Sequence, residues 1–349
     1  MVSWLFSAPA RDALRPFSDR LTATVAERFL VPAITSPRAA LWIAGYRALS
    51  VPFVTVGTAR RYRASLEGED FPVLCVGRQR RFRALITRLL AGQAQLEETS
   101  NGCPLWNPDR FSPTDAGLVA IELHPSLARQ FQAAGWLICP ESVRWRGSLS
   151  QMPPAKRSSS LQSDLTRVRR GRYTLEEAAG SKLDWDEFKR GMVIPYARRR
   201  FGEEVWIPSS LLLRDLEARG KLLFVIKEGR RVAGVCVLCN RDQAWIPLLG
   251  VKDGDLALMR EGALAGLYAL TIDWARGIGI RGIDFGRTSA FQLDGLAQFK
   301  RKWGMSPVRD PLSHLIAIRV DPAQPALQRA LEREPFLIES EDGLQVFPR

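Results

Sequence analysis

Leu249-Gly250-Val251, a short loop, then Arg260-Glu261-Gly262-Ala263-Leu264-Ala265 is the stretch on which the reading of this chain turns. An apolar run of strand length feeds a helix whose first turn is built from small residues. Such a turn leaves backbone N–H groups open to a close-approaching pyrophosphate, and the helix dipole adds favourable potential at the same end. Arg260 can add a charge-assisted contact to those phosphates. Gly250, Val251, Arg260, Gly262, Ala263 and Ala265 are therefore the candidate cofactor-binding set. The plainer alternative is a helix start whose small residues only pack on a sheet.

Around that stretch the periodicity predicts helices over 184–201, with Asp184 as N-cap, and over 209–219, closed by Gly220. Residues 222–227 and 231–239 read as a hairpin and 243–251 as a third strand. A helix over 261–275, a strand over 282–285, a helix over 294–303 and a strand over 315–320 follow. The first 150 residues also read as alternating strands and helices. Strands are expected at 71–76, 118–123 and 136–139, and helices at 79–90 and from His124-Pro125-Ser126 to Ala134. A loop is expected over 95–116. Residues 147–163, with Pro153-Pro154 and a serine cluster, read as a linker or a substrate-facing loop whose last residue, Ser163, opens a basic helix.

Composition sets bounds on what the chain does. Its 349 residues exceed one ordinary domain, and 46% hydrophobic with 25% charged residues is ordinary globular material. Of its 50 basic residues 42 are Arg, and the formal net charge is +13. That balance favours an anionic partner such as nucleic acid, phospholipid headgroups or a phosphorylated cofactor. Five cysteines without framework spacing read as small buried hydrophobes in a reducing compartment. Cys236 and Cys239 lie in a strand run, where residues three apart face opposite ways. Two histidines leave little for a His-based triad or a metal site, and no metal is expected. No secretory signal is read at the N-terminus, and the apolar segment 39–59 carries Arg47 and Pro52, which disfavour a membrane span. A cytoplasmic protein is expected, with peripheral attachment at the inner face of the membrane an alternative through Trp4, Phe6, Arg11, Arg15, Phe17 and Arg20.

Further residues carry a pattern of their own. Gly277-Ile278-Gly279 leads into Ile283-Asp284-Phe285-Gly286, and Phe299-Lys300-Arg301-Lys302-Trp303-Gly304-Met305 closes the next helix. Ser163-Asp164-Leu165 with Arg167, Arg169, Arg170 and Arg172 makes a basic helix ahead of them. With the 249–265 stretch, these runs resemble the GNAT acyltransferase superfamily over roughly 159–320. They look most like the branch of Fem-type aminoacyl transferases and cellulose-biosynthesis-like acetyltransferases, which serve envelope polysaccharide biosynthesis. Two positions depart from the common pattern: Ala263 stands where Gly is usual, and Lys300 where many members carry a Tyr acid.

The resemblance implies an α/β fold with a mixed sheet, in two tandem GNAT-like halves of which the N-terminal one is degenerate. The expected divisions are a lead-in over 1–60, the degenerate half over 61–150, the transferase half over 151–325 and a tail over 326–349. It implies direct attack of an amine or hydroxyl on an activated carboxyl in a ternary complex, with oxyanion stabilisation from N–H groups near 249–251. The donor implied is acyl-CoA, acetyl-CoA first. The acceptor is an envelope sugar, peptidoglycan precursor, lipid amine or small metabolite. An aminoacyl-tRNA donor is the alternative, supported by the basic helix; a non-catalytic binding protein on the same fold is a third.

Asp284, Lys300 and Tyr196 are the candidate proton-handling residues. Asp284 ends a central strand and can deprotonate or orient the acceptor, or else cap the strand or pair with Arg287. Lys300 can protonate or stabilise a leaving group once burial tunes its amine. Arg199 and Arg200, near Tyr196 on one helix, and Arg287 and Ser289 are candidate acceptor-binding residues. Trp245 walls the acyl pocket or packs in the core. Oligomeric state is left unassigned.

Overall fold

The computed structural model describes residues 41, 43–44, 58–77, 88, 99–102, 116–202 and 208–348. The expected helix over 79–90, save Arg88, lies outside these residues, as do the basic N-terminus, most of the apolar segment 39–59 and Cys103. Two mixed sheets carry the α/β architecture.

The first sheet is built from β1 (Thr58–Leu66), β2 (Glu69–Gly77), β3 (Thr99–Gly102), β4 (Leu118–Leu123), β5 (Leu137–Pro140) and β13 (Leu315–Val320), in the order β3-β1-β2-β4-β13-β5. Part of the expected loop 95–116 is thus strand: Thr99 to Gly102 pairs with Arg61 to Thr58 of β1, which supplies the hydrogen bonds the local sequence does not advertise. Helix α1 (Ala128–Ala133) packs Phe131 against this sheet.

The second sheet takes β6 (Ser142–Ser148), β7 (Thr174–Glu177), β8 (Lys221–Lys227), β9 (Arg230–Asn240), β10 (Gln243–Val251), β11 (Gly282–Ser289) and β12 (Ser306–Arg309). Their order is β12-β6-β11-β10-β9-β8-β7, antiparallel throughout except β10 beside β11. Each sheet borrows a strand across the expected divisions. β6 precedes residue 150 yet joins the second sheet, and β13 returns from the transferase half to lie between β4 and β5 of the first. The expected tail over 326–349 contains most of α9 (Pro325–Arg333) and the hairpin β14 (Phe336–Ser340) with β15 (Gly343–Phe347), so it is folded.

Helix starts follow capping chemistry more closely than the apolar pattern. α2 (Ser159–Arg170) begins at the serine cluster, where Ser158 accepts from the Leu161 N–H, four residues ahead of the expected start. α3 (Lys182–Phe188) is capped by Ser181, and Asp184 is the third residue of a reciprocal capping box, not the cap. The expected helix over 184–201 is interrupted by a π-turn, Lys189–Val193, before α4 (Ile194–Phe201). Pro195 has no N–H to continue the ladder, and the extra residue is taken up just ahead of it. α5 (Ser210–Arg219) is capped by Ser209.

α7 (Ala263–Gly277) crosses one face of the second sheet with α2 packed beside it. On the other face Phe188, Met192 and Val193 form a separate apolar cluster with Trp245 and Leu248. Cys236 is buried while Cys239 is exposed, as strand alternation requires, and no disulfide is formed among the described residues.

Candidate functional site

The parallel pair decides where a cleft forms. β10 and β11 are in register only from Gln243 opposite Gly282 to Trp245 opposite Asp284. Beyond that point β10 runs on to Val251 and β11 to Ser289 without pairing each other. Both are bent there: β10 shifts register against β9 between Trp245 and Leu248, and β11 against β6 between Asp284 and Arg287. Gly286, at φ +75°, makes the second bend, and its N–H donates to Asp284 Oδ1 at 2.8 Å.

Asp284 is buried at this bend and heavily engaged. Its Oδ2 accepts from Arg146 Nε at 3.0 Å and forms an ion pair with Arg144 Nε at 2.8 Å, both on β6. Burial pulls the Arg144 guanidinium below its ordinary value, and Asp284 is the chief force opposing that. Arg144 also lies over the Trp245 ring, 5.4 Å from its centre. Arg287 does not pair with Asp284; its guanidinium is bound by the buried carboxylate of Asp310.

Lys300 comes from α8 (Gly295–Lys302), whose N-cap Asp294 accepts from the Leu296 and Ala297 N–H groups. The side chain is 2% exposed, and Nζ donates to the carbonyls of Gly286 at 3.1 Å and Arg287 at 3.0 Å. Burial pushes this amine down to about 7; Asp284 and Asp294 oppose the shift, and Arg200 and Arg144 reinforce it. A neutral amine has two N–H donors, enough for these two carbonyls, and a lone pair to spare. Ser289 donates to Asp294 Oδ2 at 3.1 Å and lies within 3.5 Å of Arg88, so it belongs to the α8 cap.

Tyr196 reaches the same place from α4. Met192 and Val193, one turn earlier, belong to the cluster on the far face, whereas Tyr196 packs with the α7 side of the sheet. It can do so only where β10 and β11 have parted. Its hydroxyl accepts from Arg200 Nη1 at 3.2 Å, and burial raises its pKa. Arg199 is exposed on the same helix, its Cβ beside Gly254 in the loop after β10. The described structure therefore gathers Tyr196, Arg200, Trp245, Asp284 and Lys300.

The candidate phosphate turn lies at the end of β10. Gly250 is a packing glycine: a Cβ there would collide with the Met192 carbonyl and lie 2.6 Å from the Val193 nitrogen. Val251, Ala263 and Ala265 are buried as well, so the small side chains face the fold. α6 (Leu256–Glu261), with Arg260 exposed in its last turn, ends at Gly262, whose φ of +106° sets the sharp entry to α7. No side chain caps the α7 N-terminus, and Arg167 of α2 packs its Cβ against Gly262.

Sequence reasoning missed Arg144, Arg146, Asp310 and Tyr268. The Arg144-Trp145-Arg146 alternation was the available signal for a strand with one charged face. Tyr268 lies in a helix apolar on most sides and offered none. Among the described residues no cluster of three His, Cys, Asp or Glu could hold a metal ion, and no helix is long and apolar enough to cross a membrane.

No family model matches the sequence, and no curated protein does. Among solved structures, L-PGS from Bacillus licheniformis is 14% identical, with a TM-score of 0.40 over 78% of this chain and 88% of that one. A DUF2156 C-terminal domain from Agrobacterium fabrum is 14% identical, with a TM-score of 0.38 over 81% and 89%. FemX is 11% identical, with a TM-score of 0.39 over 82% and 93%.

Proposed function

We propose that the chain is an acyltransferase of the GNAT kind, moving an acyl group from an activated carboxyl donor to an amine or hydroxyl. One observation carries this reading: two parallel strands separate after Trp245 and Asp284, and a buried amine, two phenols and an arginine converge on the gap.

In this mechanism the donor carbonyl lies between β10 and β11. The acceptor nitrogen or oxygen forms the new bond to that carbon as the carbonyl electron pair moves onto its oxygen. Lys300, whose neutral form becomes populated through about pH 7, takes the proton the acceptor loses, and its carbonyl partners hold the amine in place. Collapse of the intermediate breaks the bond to the leaving group, which regains the proton from Lys300. Asp284 is assigned to holding the bend, because Arg144, Arg146 and the Gly286 N–H occupy its oxygens. Tyr196 and Arg200 border the acceptor side.

The donor favoured is acyl-CoA, with acetyl-CoA the first to try; Arg260 and the uncapped start of α7 suit its phosphates. An aminoacyl-tRNA donor is the second reading, favoured by the exposed Arg167, Arg169 and Arg170 at the end of α2, beside the same helix start. The acceptor class is a glycan- or lipid-linked envelope precursor or a small metabolite, met in the cytoplasm or at the membrane's inner surface.

Thermal shift with acetyl-CoA and longer acyl-CoAs, alongside tRNA binding at rising salt, tests the assignment. Stabilisation by a thioester with weak salt dependence supports the first reading. No stabilisation by any thioester, with tRNA affinity that falls steeply with salt, moves the donor to aminoacyl-tRNA.

A further inference from the structure

Tyr268 is a buried polar group that the mechanism above leaves unused. It sits in the second turn of α7 with its ring stacked on Phe285 of β11, centroids 4.1 Å apart and planes 16° from parallel. Phe299 meets it edge-on at 4.9 Å, and Trp303 closes the cage at 5.8 Å. All of these contacts are made by the ring, so phenylalanine would satisfy them equally. The hydroxyl is enclosed and has no hydrogen-bond partner among the described residues. A buried hydroxyl left unpaired costs about 1–3 kcal/mol, so its retention asks for a use.

Its surroundings indicate the use. The groups whose charge acts on this hydroxyl are Tyr196 and Arg200 of α4, and Tyr196 shares the apolar cluster that holds Tyr268 and Phe285. Phe285, beneath the ring, directly follows Asp284, the last residue in register with β10. Burial also raises the phenol pKa, so the group keeps its proton and acts as a donor.

Resting on the acyl-transfer reading, we propose that Tyr268 recognises the donor's carbonyl. Its hydroxyl donates a hydrogen bond to the carbonyl oxygen held between β10 and β11, and to the oxyanion formed there as the acceptor attacks. The proton stays on Tyr268; only the hydrogen bond strengthens as charge develops on the substrate oxygen.

The test compares the full chain with Tyr268→Phe by calorimetry, using acetyl-CoA and S-ethyl-CoA, a thioether that lacks the carbonyl oxygen. 3′-Aminoacylamino-3′-deoxyadenosine and 3′-amino-3′-deoxyadenosine serve as the matching pair for an aminoacyl donor. Wild type is expected to prefer the carbonyl-bearing member of one pair by about 3- to 10-fold, the range of one neutral hydrogen bond. Tyr268→Phe is expected to lose that preference, keep or raise its Tm, and turn over the same donor about 100-fold more slowly. A variant that keeps the preference overturns the proposal and leaves acyl transfer standing. A variant that fails to fold shows the hydroxyl to be structural and likewise overturns it. A wild type that distinguishes neither pair overturns the acyl-transfer reading and this proposal together.

Discussion

Trp245 and Asp284 are the last residues at which the two parallel strands of the larger sheet stand side by side. One residue on, each chain bends away, and side chains from both faces of the sheet meet in the opening. The site thus owes its position to a failure of strand pairing, and the groups that hold the strands apart are as consequential as those that face a substrate.

Asp284 is the first of these. Arg144 is almost wholly buried and relies on this carboxylate, whereas Arg146 is half exposed. Asp284→Asn removes the chief compensation for the Arg144 charge, with Asp310 the lesser one left, and is expected to cost about 3 kcal/mol in urea unfolding. Replacing both partners, as Arg144→Met with Asp284→Leu, is expected to recover much of that loss. A single variant as stable as wild type would show that the pair does not hold the bend.

Gly250 holds the opposite side. Because the main chain of the π-turn lies where a side chain would begin, Gly250→Ala forces backbone apart rather than a flexible side chain. A loss of about 1–3 kcal/mol is expected, measured by chemical denaturation, with a further fall in donor affinity as α4 and Tyr196 shift.

Lys300 titrates in a window that can be read directly. Its folded pKa is pushed down to about 7 by burial, while an unfolded lysine keeps its proton to about 10.4. Between those values the unfolded chain binds more protons, so stability rises with pH across the window, by at most about 1.4 kcal/mol per unit. Below pH 7 both states are protonated and the dependence disappears. The stability difference between wild type and Lys300→Met, measured in urea at pH 6, 8 and 10, is expected to climb by about 1.4 kcal/mol over the first interval and by more over the second. Transfer rates are expected to rise through about pH 7 in wild type. A flat stability difference at all three pH values would mean that the folded amine retains its proton.

Gly262 sets the entry to α7 at φ +106°, a conformation that costs an L side chain about 1–3 kcal/mol. A Cβ there would also press on Arg167 at 3.0 Å. Gly262→Ala is expected to lower Tm and to weaken donor binding more than Arg260→Ala does, since the turn aims the helix start while Arg260 adds only an exposed charge. Equal effects would place the donor's phosphates on Arg260 alone.

Much of the second sheet was legible from order and spacing. The 222–227 and 231–239 hairpin, the third strand, the small-residue helix start, and the strand and helix carrying Asp284 and Lys300 all form within a residue or a few of where they are expected. The helices start at the caps Ser158 and Ser181, ahead of the expected Ser163 and Asp184, because several neighbouring side chains can cap and only the folded chain selects one. The alternation of 144–146 was passed over because β6 lies before the expected division at 150 and joins the sheet of the other half.

The sequence by itself determined the kinds of element, their order and the residue types at the two strand ends, because hydrophobic period, caps and turn glycines act over a few neighbours. Tertiary structure alone decided that Arg144 takes the carboxylate for which Arg287 was one candidate partner, that Lys300 is dry enough to lose its proton near neutrality, and that Tyr196 and Tyr268 share one apolar cluster. Those outcomes depend on which distant strands pair and which groups are taken out of water when they do. Desolvation and long-range register belong to the folded chain and leave no local mark.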